Sequence, residues 1–322
     1  MYLSIVIPVY NEEKSLKPLY ERIKGVCGVL DKEYEIIFID DGSRDKSFDI
    51  LEEIAQGDKN VKLIKFKKNF GQTAALSAGF ERAKGEIIIP IDADLQNDPR
   101  DIPKLLAKLD EGFDVVSGWR KDRKDDFFSK KFPSQIANSL ISFITKIKLH
   151  DYGCTLKAYR SEVLRGVNIY GEMHRFLPAY AARQGAAIAE IPVNHFPRKF
   201  GKTNYGVSKT FKVILDLLVI KFMLGYSTKP IYFFGGFGAI SMFLGFTSGL
   251  LALYLKIFRS VSFILTPLPI ITALFVLAGI QLIMMGIISD LVLRSNYDLS
   301  GKKTYVISKK VNFNELSQKI DD

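Results

Sequence analysis

With two cysteines and three histidines in 322 residues, the chain has little material for a disulfide framework, a zinc centre or thiol catalysis. Cys27 and Cys154 follow no paired spacing and lack the adjacent histidine of an activated nucleophile, which reads as free thiols in a reducing compartment. His174 and His195 lack the spacing of metal ligands. A basic leader is absent too: "LSIVIPVY" starts almost at Met1 and contains a proline, so no secretory signal is expected. The turn after this first apolar run is not glycine-rich. Its sequence, "PVYNEE", puts Glu12 and Glu13 where a dinucleotide fold would bind pyrophosphate, and the two carboxylates would repel it.

Charge is missing from two further stretches, Ile231 to Leu255 and Ser260 to Ser289. Each exceeds the roughly 20 residues a helix needs to cross a bilayer. Two spans, about 231–255 and 264–291, are expected, and they return the C-terminus to the side of the N-terminus. Lys221, Lys229, Arg294, Lys302 and Lys303 flank the proposed inner side, against Lys256 and Arg259 in the outer loop. The chain is thus expected in the inner (plasma) membrane, multi-pass, with both termini cytoplasmic. Acid is missing between Glu190 and Asp216, where Arg198, Lys199, Lys202, Lys209 and Lys212 fall, and "WRKDRKDDFFSKK" forms a second basic cluster. Beside two membrane spans, a net charge of +10 arranged in this way favours lipid phosphate over nucleic acid as a partner.

In the first 120 residues, apolar runs alternate with amphipathic stretches. Strands are predicted at 3–9, 35–40, 61–66, 86–92 and 114–118, with helices near 12–30, 44–56, 71–83 and 99–111. That alternation predicts an α/β domain, a mostly parallel Rossmann-like sheet with helices on both faces. Ligands bind beyond the carboxyl ends of such strands, where "YNEE", "DDGS" and "DADLQ" collect. Further helices are expected at 127–147 and 174–185, then a strand in "AIAEIPVNH". Segment 206–224 is amphipathic with lysines on one side and is expected to lie in the membrane interface. The organisation is therefore a cytosolic domain over 1–205, an interface region over 206–229, two spans over 230–293 and a cytosolic tail over 294–322. Exposed apolar faces on two lone spans leave room for a homo-oligomer.

Asp92 and Asp94 stand at i and i+2, and on an ideal strand both face one side, with Gln96 one step further along. Paired hard oxygen ligands suit Mg²⁺ or Mn²⁺, whose shell is completed by water and substrate phosphates. The first turn is then free to hold a base or ribose. Asp40 and Asp41 can accept hydrogen bonds from a nucleoside, or Asp41 or Ser43 can cap the helix starting near Arg44. Asp98 is expected to cap the helix after Pro99.

"SIVIPVYNEE", "IDDGSRDKS", "NFGQTAALSAGF" and "DADLQNDP", in this order, resemble glycosyltransferase family 2, most nearly its polyprenyl-phosphate branch, similar to dolichyl-phosphate mannose synthases. The resemblance covers about residues 1–225, and the two spans match a bacterial-type subgroup. It implies a GT-A fold, a nucleotide-diphosphate sugar, a divalent metal and a polyprenyl (undecaprenyl) phosphate acceptor. Position by position it implies that Pro8, Tyr10, Asn11, Glu12, Asp40, Asp41, Asn69, Gln72, Asp92 and Ala93 meet the nucleotide sugar. Asp92, Asp94 and Gln96 would form the metal site, and Arg120, Lys131, Arg198 and Lys202 the acceptor-phosphate site. Asp94, Arg120 and Asp151 are the catalytic candidates. In "RKFGKTNYG", Thr203 and Asn204 depart from the family's "R-x-x-G-x-S-K" segment. Asp151 stands where some relatives place an acid, but a lipid phosphate is already anionic and needs no base. Its alternatives are an orienting partner for basic groups or sugar, and a loop-stabilising N-cap. Trp119 either borders the acceptor or fills the core.

The expected reaction is inverting transfer from UDP-glucose, or alternatively GDP-mannose, making a lipid-linked sugar donor for envelope glycoconjugates. Two other readings differ in class. A processive polysaccharide synthase would carry Gln-x-x-Arg-Trp, but Gly118 precedes the sole tryptophan. A non-catalytic nucleotide- or lipid-binding membrane protein would have no use for Asp92 and Asp94 as a pair.

Overall fold

Four parallel strands rich in β-branched residues form the centre of one sheet: β1 (Leu3–Val9), β2 (Tyr34–Asp40), β3 (Val61–Phe66) and β4 (Ile87–Pro90). In this computed structural model, residues 1–121, 142, 147–165, 167, 169, 173–197, 230–298 and 305–313 are described. They divide into two units, Met1–Val213 with Lys303–Asp322, and Ile214–Lys302. The predicted helix at 127–147 falls almost wholly outside the described residues, and the interface segment 206–224 entirely so.

In the first unit, the connecting helices are α1 (Leu16–Leu30), α2 (Ser47–Gly57), α3 (Gln72–Arg82) and α4 (Ile102–Asp110). Beyond them come β5 (Val115–Trp119), β6 (Lys157–Arg160), α5 (Ser161–Leu164), α6 (Leu177–Arg183) and β7 (Ile188–Pro192). The eight-stranded order is β7-β5-β6-β4-β1-β2-β3-β8, where β8 is Ile307–Val311. β6 runs antiparallel to both β4 and β5, and β8 antiparallel to β3, so the sheet is mixed around a parallel centre. Nearly every side chain of β1, β2 and β4 is buried, as helices on both faces require. Apolar faces of α1, α2 and α4 pack into the same core through Leu16, Leu19, Ile23, Leu51, Leu105 and Leu109. On α3, Gly79 lies so close to the sheet that a Cβ would stand 2.3 Å from Val6 Cγ1, so the small residue sets how closely the helix packs. From β1 the connections lead outward to β2 and β3 on one side and to β4 on the other. That reversal opens a crevice at the carboxyl ends of β1 and β4.

The sequence sets residues 294–322 apart as a tail, but Ile307–Val311 belong to the sheet. Strand β8 covers the outer edge of β3, which would otherwise present unpaired backbone groups. Tyr305 stacks on Phe66 at 5.0 Å, accepts from Arg82 Nη1 at 2.9 Å and donates to Glu81. Asn312 Nδ2 donates to the carbonyls of Ala55 at 2.6 Å and Val61 at 2.8 Å.

The second unit contains α7 (Pro230–Arg259) and α8 (Leu268–Asp298). Within them, Ile231–Arg259 and Leu268–Ser289 are long and apolar enough to cross a membrane, with mean hydropathies of 1.7 and 2.4. The second helix starts four residues later than the predicted 264, because Pro267 disfavours helix at the residue before it while Pro269 fits a first turn. The pair is tied by Ser241 Oγ donating to the Phe275 carbonyl at 2.7 Å and by Ser248 and Thr272 hydroxyls 2.9 Å apart. Large apolar side chains such as Phe243 and Leu274 remain exposed on its outer faces.

Candidate active site

Three strand-to-helix turns are laced together by their own polar groups. Asn11 adopts φ 56°, a conformation asparagine tolerates. Its Oδ1 accepts the Arg44 N–H at 2.8 Å, and its own N–H donates to Ser43 Oγ at 3.0 Å. Gly42, at φ 68°, packs so tightly that a Cβ would lie 2.5 Å from the Lys68 carbonyl carbon. Asp41 accepts the N–H groups of Phe70 at 2.7 Å and Gly71 at 2.9 Å. Burial raises its pKa even against these donors. The alternative reading, a cap by Asp41 or Ser43 on a helix near Arg44, does not hold: α2 begins at Ser47, and both side chains serve neighbouring turns.

The fourth strand ends at Pro90, so Asp92 and Asp94 are loop residues rather than strand residues. Strand alternation is not what brings them together, and the φ of 63° at Leu95 breaks it beyond Asp94. Gln72 Nε2 donates to Asp92 Oδ1 at 2.8 Å and Thr155 Oγ1 to Asp92 Oδ2 at 2.7 Å. Burial, and next the Asp94 carboxylate, push the Asp92 pKa up to about 6. Asp98 caps the following turn as expected, accepting the Arg100 N–H at 3.1 Å.

These turns surround a cavity of about 290 Å³. Pro8 reaches it from β1, Tyr10 and Glu12 from the first turn, Asp41 from the second, Asn69 from the third, Gln72 from the start of α3, and Asp92, Ala93 and Asp94 from the fourth turn. Three of the residues expected at the nucleotide sugar and the metal do not line it. Asn11 is occupied in joining two turns. Asp40 is fully buried and accepts the Ser43 N–H at 3.2 Å; burial raises its pKa, and its Oδ2 has no partner among the described residues. Gln96 approaches the Phe196 carbonyl at 3.4 Å instead, because the Leu95 kink takes it off the line of Asp92 and Asp94.

Two carboxylates on one cavity wall, with Asp94 disfavouring the charge of Asp92, fit a hard divalent cation. Among the described residues no cluster of three His, Cys, Asp or Glu side chains could enclose a metal. The protein would supply only part of the shell, as suits an ion that keeps waters and substrate phosphates.

At the end of β5, Arg120 grips Asp151 with Nε to Oδ2 at 2.6 Å and Nη2 to Oδ1 at 2.9 Å, the side chains being 14% and 7% exposed. The Asp151 carboxylate also accepts the Gly153 N–H at 3.1 Å. This geometry suits holding a guanidinium, which in turn stays protonated with a raised pKa. Glu190 accepts the N–H groups of His150 and Asp151, and His150 stacks on Trp119 at 4.3 Å. Lys131, Arg198 and Lys202 lie outside the described residues. Thr155 and Glu190 were not expected here, since a lone threonine or glutamate carries no motif.

The family model for glycosyl transferase family 2 matches residues 4–167. The chain belongs to glycosyltransferase family 2. This transferase is 39% identical over 315 residues to a dodecaprenyl-phosphate galacturonate synthase of Rhizobium johnstonii, covering 95% of this chain and 91% of that protein. It is 36% identical over 322 residues to an undecaprenyl-phosphate 4-deoxy-4-formamido-L-arabinose transferase of Klebsiella pneumoniae, covering 99% and 97%. Among solved structures it is similar to the glucosyl-3-phosphoglycerate synthase of Mycobacterium tuberculosis, crystallised with Mn²⁺, UDP and phosphoglyceric acid. That likeness has a TM-score of 0.54 at 19% identity over 70% of this chain and 78% of the other, a match in fold. The transferase thus has the mixed, mostly parallel GT-A architecture expected from its sequence, with two C-terminal apolar helices.

Proposed function

We propose that the transferase moves a sugar from a nucleotide-diphosphate donor to polyprenyl phosphate at a membrane face. The observation that carries the donor half is the placing of Asp92 and Asp94 on the same cavity wall as Pro8, Tyr10 and Asp41. The acceptor half is supported by likeness over 95% of the chain or more to relatives named for prenyl phosphates.

In this reading Tyr10, Asp41 and Asn69 hold the nucleoside. A divalent cation held by Asp92 and Asp94 would neutralise the diphosphate as it leaves. Arg120, kept in place by Asp151, aligns the acceptor phosphate. One anionic phosphate oxygen attacks the anomeric carbon as the bond from that carbon to the diphosphate oxygen breaks, inverting the centre. No proton has to be removed, so alignment and charge stabilisation carry the rate.

If α7 and α8 both span, the chain leaves the first unit and returns to it through β8, so the whole sheet lies on one side. The flanking lysines and arginines support the cytoplasm as that side. For the sugar, UDP-glucose is the first reading and GDP-mannose the second, while the relatives are named for galacturonate and 4-deoxy-4-formamido-L-arabinose. The test is transfer by the purified full chain of radiolabel from UDP-glucose, GDP-mannose and the nucleotide-diphosphate forms of galacturonate and 4-deoxy-4-formamido-L-arabinose, with Mn²⁺ and undecaprenyl phosphate in vesicles. Label passing from one donor into butanol-extractable lipid supports the reading, and none from any donor refutes it.

A further inference from the structure

Because β4 stops at Pro90, no strand geometry fixes the Asp92 carboxylate. Two side chains from elsewhere do so: Gln72, at the first turn of α3, on Oδ1, and Thr155 on Oδ2. We propose that Thr155 is a positioning residue for sugar transfer, its hydroxyl holding Asp92 in the orientation in which it shares a divalent cation with Asp94. The inference rests on the reading of Asp92 and Asp94 as the cation-holding pair.

Hydroxyl and amide each occupy one lone pair on a different oxygen, leaving the remaining lone pairs to a cation. Thr155 is itself firmly seated. It stands four residues after Asp151 and two before β6, in a stretch fastened at several points. Lys157 Nζ donates to the carbonyls of Tyr152, at 3.2 Å, and of Cys154, and the Gly118 N–H donates to the Leu156 carbonyl at 3.0 Å. Tyr152, Cys154 and Leu156 are buried. Asp151, at the start of the same stretch, grips Arg120. One rigid run of six residues therefore holds, at one end, the guanidinium assigned to the acceptor phosphate and, near the other, the carboxylate assigned to the donor's cation. Groups that support a metal ligand in this way typically change metal affinity by about 10–100-fold when removed.

The test measures Mn²⁺ binding to the detergent-solubilised full chain by the paramagnetic resonance of free Mn²⁺, with UDP or GDP present, alongside steady-state transfer. Thr155→Val keeps the shape and removes the hydroxyl, and Thr155→Ser restores it. The expected result is Mn²⁺ binding weakened about 10–100-fold in Thr155→Val and close to wild type in Thr155→Ser. kcat should fall in the valine variant while the KM for polyprenyl phosphate stays put. If Thr155→Val does not fold, Thr155→Ala compared with Thr155→Ser decides in the same way. Wild-type Mn²⁺ affinity in Thr155→Val, with binding lost in Asp94→Asn, overturns the role of Thr155 and leaves the cation pair standing. Wild-type affinity in Asp94→Asn overturns the pair itself, and the inference with it.

Discussion

Replacing Asp151 with Asn should unsettle this protein far more than removing an ordinary surface charge. Arg120 and Asp151 are 14% and 7% exposed and joined by two contacts of 2.6 and 2.9 Å. Exposed pairs contribute about 0–1 kcal/mol, whereas breaking a buried pair by removing one partner costs about 3–5 kcal/mol, because a charge is left uncompensated. Asn keeps one acceptor for the guanidinium, which places Asp151→Asn near the lower end, about 3 kcal/mol. Arg120→Met strands the carboxylate and should destabilise similarly. The double variant Arg120→Met/Asp151→Asn should lose less than the sum of the two single variants, with a coupling of about 2–3 kcal/mol. Trp119, the sole tryptophan, is stacked on His150 beside this pair. Urea unfolding in detergent, followed by its fluorescence, therefore reports on the catalytic unit alone, which matters where two units need not unfold together. In transfer assays Asp151→Asn should raise the KM for polyprenyl phosphate and leave the pH–rate profile unchanged. A stability loss below about 1 kcal/mol, strict additivity in the cycle, or an erased acid limb of the pH–rate profile would refute the reasoning.

Two further outcomes follow from the same structure. Burial holds the His174 imidazole down to about 3, with Thr73 Oγ1 at 2.6 Å, so the folded chain stays neutral there while the unfolded chain takes a proton below about 6.5. Stability should fall as pH drops from 6.5 towards 3, by up to about 2 kcal/mol at pH 5; thermal midpoints of wild type and His174→Gln should then converge at pH 5, and an unchanged gap would contradict it. Asn312→Ala removes the amide that joins β8 to the carbonyls of Ala55 and Val61. It should destabilise the strand by about 1–3 kcal/mol, read as faster amide hydrogen exchange in residues 307–311 with β1 unaffected.

Much of the sheet was legible because each central strand is a short apolar run bounded by polar turns, the pattern of a sheet buried on both faces. β1 and β3 were expected at their observed limits, 3–9 and 61–66. β8 escaped notice because "ISKKV" is too polar to stand out and pairs with a strand more than 240 residues earlier. At the site, the spacing of Asp92 and Asp94 singles them out, but a loop, not a strand, brings them together. Gln96 was misplaced for the same cause, since a positive φ at Leu95 is invisible in sequence. Asn11 sits in the right turn and Asp40 at the strand end before one, yet Asn11 joins two turns and Asp40 is buried beneath its own, a distinction that depends on side-chain direction. Thr155 lies 63 residues from Asp92, and only the antiparallel return of β6 beside β4 brings it near.

Asp92 and Asp94 are proposed to hold the cation and diphosphate of a donor whose sugar passes to a prenyl phosphate. Transfer by wild type and Asp94→Asn, side by side with and without EDTA, tests this most directly. Label should reach the lipid only with wild type and divalent metal, and Asp94→Asn should be inert while keeping the wild-type thermal midpoint. Undiminished transfer by Asp94→Asn, or by wild type in EDTA, would contradict the account.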